Sequence, residues 1–174
     1  MNLKIAKIFL ATILLVNSFN VNAELENDDP LIICHSLSSQ GLFPGKWRKD
    51  ELGYLCVTPY KDIVSSLLYT PGLPNNIALY ATGSENKVNE VKLVININDS
   101  TSAHNAHLEL LKDAEILFHH LYLPSKPAQY LSSEIKNSII NGNPGNFLVR
   151  KISIQIIKDI WPTGKGYEIQ VIFK

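Results

Sequence analysis

Between residues 88 and 98 apolar and polar side chains alternate. Val91, Leu93, Ile95 and Ile97 share one side, Lys92, Asn96 and Asn98 the other, and Val94 is the exception. A period of two belongs to a strand with one buried face. After Asp99 the period lengthens: Ala103, Ala106, His107, Leu110, Leu111, Ala114, Leu117, Phe118 and Leu121 recur every three or four residues. They form one stripe of an amphipathic helix about five turns long. A second strand over residues 77–82, joined through 83–87, makes a β-hairpin that feeds straight into this helix. A strand face and a helix stripe so close in sequence have each other as the nearest place to bury apolar surface.

The same logic extends in both directions. Downstream, Pro124 and Pro127 end one helix and start another, with Ser125 a candidate cap. Ala128, Leu131, Ile135, Ser138 and Ile139 then keep helical spacing up to Gly142, and residues 141–146 break the pattern. Two long strands are predicted to close the chain. Residues 147–160 carry Leu148, Ile152, Ile154 and Ile156; residues 166–174 carry Tyr167, Ile169, Val171 and Phe173; residues 161–165 form the loop between them. Upstream, residues 24–28 read as a loose polar tail. Asp29 and Pro30 read as N-cap and first residue of a helix over 31–40, with Leu31, Cys34 and Leu37 on one side and Gly41 just past its end. Residues 41–50 read as a loop holding Phe43 and Trp47, 53–58 as a strand, 60–69 as a helical turn and 70–76 as a turn-rich connector. The predicted fold class is α+β, a single domain over residues 24–174. It has a mainly antiparallel sheet of two hairpins, two helices packed on one face, and a disulfide-linked N-terminal helical segment.

Residues 1–23 change the picture of location rather than of fold. Lys4 and Lys7 precede a short apolar run over 8–16, and Val21 and Ala23 stand three and one residues before a cleavage point. That is the pattern of a secretory signal peptide. The apolar run is cut short by Asn17 and Asn20, well under the about 20 residues of a membrane span. The expected mature protein is periplasmic or secreted, with no membrane anchor. Taking the two leader lysines from 16 basic residues leaves 14 against 16 acidic ones, a balance that fits neither nucleic acid nor a polybasic membrane patch. Cys34 and Cys56 are the only cysteines. In an oxidising compartment their default state is a disulfide, and no C-x-x-C supports a redox pair.

Candidate chemistry is sparse. His104 and His107 lie at i, i+3, with His119 and His120 further along, but no third ligand stands at H-E-x-x-H spacing. His107 also falls on the apolar stripe, where a hydrogen-bonded core histidine is expected, so neither a metal nor another cofactor is predicted. Ser36, Ser38 and Ser39 follow His35 without a G-x-S-x-G elbow. Asn96, Asn98 and Asp99 close a strand beside a helix N-terminus, where capping by Asp99 or Ser100 competes with a hydrolase acting through Asp99 and a histidine. The less ordinary features are loop tryptophans beside cations: Trp161 with Lys165, and Trp47 with Arg48. That is the composition of interface hot spots. Binding of a protein partner is predicted to centre on Trp161, with Trp47 second.

Cys34, Gly41-Leu42, Trp47, Gly53-Tyr54-Leu55-Cys56, then residues 75–80 and 91–98, resemble small exported bacterial proteins of the periplasmic immunity-protein type. The resemblance covers roughly residues 34–142 and carries over no functional residue. It implies a non-enzymatic exported protein that blocks a secreted toxin or enzyme. The alternatives are a small envelope hydrolase or ligand-binding protein, and an assembly factor of an envelope secretion machine.

Overall fold

The computed structural model describes residues 23–51, 53–63, 72–122 and 130–174. Residues 1–22 of the predicted signal peptide, most of the helical turn predicted at 60–69, the start of the connector predicted at 70–76, and Pro124, Ser125, Pro127 and Ala128 lie outside them. The described chain is α+β, as predicted. Its strands are β1 (Arg48–Asp50), β2 (Gly53–Val57), β3 (Lys61–Asp62), β4 (Asn76–Ser84), β5 (Lys87–Ile97), β6 (Gly145–Val149), β7 (Ile152–Ile160) and β8 (Tyr167–Phe173). They form one antiparallel sheet in the order β1-β2-β4-β5-β8-β7-β6, with β3 also paired to β4. Three helices, α1 (Pro30–Cys34), α2 (Ala103–His120) and α3 (Ser133–Asn141), lie over one face.

The core sits between α2 and the centre of the sheet. Ala106, Leu110, Ala114, Leu117 and Phe118 of α2 are buried with Ile77, Leu79 and Ala81 of β4, the odd residues 91–97 of β5, and Ile169, Val171 and Phe173 of β8. α1 covers β4 and β5 on one flank of α2, and α3 packs against α2 and β6 on the other. Val94 breaks the alternation because the opposite face has a small core of its own. It is buried there with Ala78 and Ile172, beside Tyr80, whose ring lies 5.4 Å from the Lys92 ammonium and whose hydroxyl donates to Tyr60 Oη.

Several expectations need correction. Residues 147–160 are not one strand: Arg150 and Lys151 turn the chain between β6 and β7, pairing Val149 with Ile152. Lys151 is thus a turn residue, and Leu148 moves to the face opposite the helices, where it is 55% exposed. The helix predicted over 31–40 stops at Cys34, because Ser36 turns both its amide and its hydroxyl back onto Ile33 O (3.2 and 2.8 Å). A 3-10 turn, Ser38–Gln40, follows, and Gly41 closes it at φ 81°. The last three residues of the predicted loop 41–50 form β1, and Lys61–Asp62 is strand rather than helical turn. The second predicted helix begins with Ser132 as its cap. Residues 24–28 are pinned rather than loose. Leu25 is buried, Asn27 donates its amide and side chain to Leu121 O and His120 O at the open end of α2, and Asp28 O accepts from Val88 N.

The Asp29 cap and Pro30 start of α1 are as predicted, Asp29 Oδ1 accepting from Leu31 N at 2.8 Å. So is the Cys34–Cys56 disulfide, with Cα atoms 6.2 Å apart. It ties α1 to β2, the helical layer to the sheet. A bridge of this kind persists in oxidising compartments, which fits a protein working outside the cytoplasm. Among the described residues no helix is long and apolar enough to cross a membrane.

Candidate functional site

Trp161 sits at the start of the β7–β8 loop. Its N–H donates to Gly166 O (3.1 Å) and its carbonyl accepts from Gly164 N (2.8 Å), closing the turn. The indole lies across Gly166, where a Cβ would stand 2.5 Å from Trp161 Cζ3 and 2.4 Å from Ile97 O. Only glycine leaves room for ring and strand together. Trp161 is therefore half-buried on its own loop, while Ile160 beside it is 67% exposed and residues 162–165, Lys165 included, are exposed.

Trp47 occupies the other end of the sheet. Its Nε1–H donates to Glu85 O (2.9 Å) at the tip of the β4–β5 hairpin, and its ring stacks on Tyr54 with centroids 6.3 Å apart. Trp47 lines a groove of about 460 Å³ with Asp28, Asp29, Pro30, Leu31, Glu85 and Asn86. Arg48, on β1, is exposed. The Trp47 end and the Trp161 end are separated by β5, an 11-residue strand, hence by about 33 Å. The four residues singled out from the sequence thus make two surfaces, not one.

The histidines are spread along α2. His107 donates from Nδ1 to Ile140 O (2.7 Å), and its Nε2 accepts from Tyr167 Oη (3.0 Å). Burial pushes its pKa below the ordinary imidazole value, with the Ile140 carbonyl opposing. Burial thus favours the neutral ring, whose two nitrogens these bonds occupy. His119 and His120 meet edge to face and line a cavity of about 300 Å³ with Glu115, Ile116, Tyr130 and Leu131. Among the described residues no three of His, Cys, Asp and Glu are grouped to hold a metal. Asp99 is a cap: Oδ1 accepts from Thr101 N and Oγ1, and Oδ2 from Ser102 Oγ. Those bonds hold its pKa below the usual carboxylate value.

Asp113 escaped the sequence reading. It lies on the buried stripe of α2, fully buried, and neither carboxylate oxygen has a hydrogen-bond partner among the described residues. Burial, reinforced by Glu109, raises its pKa to about 6 against the pull of Lys61 and Lys112. The available signal was position alone, since Asp113 falls three residues after Leu110 and four before Leu117.

No protein-family model, no curated protein and no solved structure matches this chain.

Proposed function

We propose that the chain is an exported, non-enzymatic protein-binding protein, a periplasmic inhibitor of the immunity type that blocks a secreted toxin or enzyme by covering its surface. The leader pattern of residues 1–23 and the disulfide support the location. One observation carries the binding reading. At each end of the sheet a tryptophan, Trp47 fixed by its indole N–H bond to Glu85 O and Trp161 by packing of its ring across Gly166, has a large, mostly exposed apolar neighbour: Ile160, 67% exposed, beside Trp161, and Leu31, 71% exposed, across the groove from Trp47. Fixed aromatic area with few rotamers to freeze is what tight interfaces are built on.

The test places a photo-crosslinking residue at position 160, at 31, and at 155 on the outer sheet face, in cells exporting the protein. Adducts with one protein from 160 or 31, but not from 155, are expected. With that partner purified, Trp161→Ala should weaken binding by at least about 2 kcal/mol, roughly 30-fold, with little change in melting temperature. Adducts chiefly from 155, or a Trp161→Ala protein that unfolds easily while its folded fraction binds normally, would overturn the assignment.

A second reading, an envelope ligand-binding protein or hydrolase, has the cavity lined by His119, His120 and Tyr130 behind it. Turnover of a chromophoric ester that is abolished by His119→Ala with His120→Ala would favour that reading.

A further inference from the structure

We propose that the groove beside Trp47 receives an arginine side chain of the protein partner. This rests on the binding reading above and names the chemistry of one contact.

The groove is held in shape before any partner arrives. On one wall Trp47 is fixed by its bond to Glu85 O and by the Tyr54 ring. On the other, the start of α1 is fixed by the Asp29 cap, by the bond from Val88 N to Asp28 O, and by the disulfide from Cys34 to β2. On that α1 wall, facing Trp47 across the groove, Pro30 and the 71% exposed Leu31 offer an apolar strip. All three charged residues lining the groove are acids: Asp28, Asp29 and Glu85. Asp28 is already engaged by Lys87 at 3.2 Å, which also holds Glu24. Among the described residues neither Asp29 nor Glu85 has an ion-pair partner. Arg48 and Lys46 adjoin Trp47 in sequence, yet neither lines the groove.

An aromatic face, an aliphatic strip and two carboxylates with no ion-pair partner among the described residues complement one side chain closely. The methylenes of arginine lie on apolar surface, and its planar guanidinium stacks on indole while its forked donors reach carboxylates. Lysine, a compact and strongly hydrated charge, would use the carboxylates but gain less from the ring. Glutamate would meet three acids.

The two tryptophans supply the readout, since each indole N–H gives its own nuclear magnetic resonance signal and Trp161 serves as internal control. The mature protein is titrated with capped tripeptides, glycine–arginine–glycine against the leucine and glutamate analogues. The arginine peptide should move the Trp47 signal saturably and leave that of Trp161 still. The leucine peptide should bind about tenfold more weakly, and the glutamate peptide should leave the signal unmoved. Asp29→Asn combined with Glu85→Gln should weaken the arginine peptide about tenfold; asparagine still caps a helix, so α1 is preserved. Equal binding of the leucine peptide, indifference to the double substitution, or no movement of the Trp47 signal each overturns the inference. A partner captured from residue 160 and lost on Trp161→Ala would leave the binding reading standing in that event. Conversely, arginine binding at Trp47 stands even where no partner is captured at either end.

Discussion

The Asp113 carboxylate is the least satisfied group among the described residues. Its stripe on α2 also carries Ala106, Leu110 and Leu117, so an ionised carboxylate there is desolvated, and the charges of Lys61 and Lys112 offset only part of the cost. Burial pushes the group from the ordinary 3.8 of an unfolded chain up to about 6 in the fold. Between these values the folded protein keeps a proton that the unfolded chain has lost, so this group lowers stability as pH rises through that window. Above it the full penalty, about 2–3 kcal/mol, remains. His107 acts in the opposite sense. Its depressed pKa removes stability as pH falls below the ordinary 6.5, because the unfolded chain takes up the proton first. The wild-type profile therefore mixes the two, and a variant separates them. Asp113→Asn keeps the shape and removes the charge. It should stabilise the protein by about 1–2 kcal/mol at pH 7.5, less than the full penalty because a buried amide is also unpaired. At pH 4.5 the gain should vanish. Urea unfolding at both values measures this, and an equal gain at both pH values would exclude ionisation as the cause.

Among the elements, the β6–β7 hairpin shows where a pattern of apolar residues misleads. The turn joining Val149 to Ile152 contains no Gly, Pro, Asn or Asp, only Arg150 and Lys151. Arg150 supplies the reversal at φ 55°, a conformation side chains other than Gly, Asn and Asp rarely adopt. Without a turn signal, Leu148 looks continuous with Ile152, Ile154 and Ile156, although the turn sends it to the other face. The truncated first helix escaped for a related reason, since the Ser36 bonds that stop it are local geometry rather than composition. Elements with long periodic runs, β5 and α2, were legible almost to the residue, because burial of one face leaves only one phase for the apolar positions. The turn can be tested by sign. Glycine in the middle of a continuous strand costs about 0.5–1 kcal/mol. At a positive-φ turn it should instead stabilise by about as much. Arg150, 40% exposed, stands 4.0 Å from the Glu26 side chain, only 9% exposed, and 5.7 Å from the centre of the Tyr122 ring, so the comparison is with Arg150→Ala, which loses the same contacts. Arg150→Gly is expected to have a higher urea midpoint than Arg150→Ala, and a lower one would speak for the continuous strand.

At the scale of the whole molecule, what could not be read was which distant elements meet. The β5–β8 pairing, Val91 with Phe173 through Ile97 with Tyr167, joins two hairpins separated by two helices, and no local pattern encodes it. The candidate site shared that limit. Composition singled out Trp47 and Trp161, but Glu85 lies 38 residues from Trp47, and Leu31 reaches the groove because the Val88 N–Asp28 O bond and the disulfide bring α1 to the sheet. That bridge is the joint on which both the fold's edge and the groove depend. α1 has five residues and could not hold helical form alone. Among the described residues, β1 and β2 pair with the rest of the sheet only through β4. Cys34→Ser should therefore lower overall stability by about 2–5 kcal/mol, and the loss should be distributed unevenly. Amide exchange in residues 30–40 and in β1 and β2 should quicken well before that in β5, β7 and β8, whose hydrogen bonds run through the centre of the sheet. The Trp47 indole signal should broaden or shift while that of Trp161, about 33 Å away along β5, stays in place. Uniform acceleration across all strands would mean instead that the bridge acts only on the unfolded chain, and that the N-terminal segment is held to the sheet by Leu25, Ile33 and Leu37 without it.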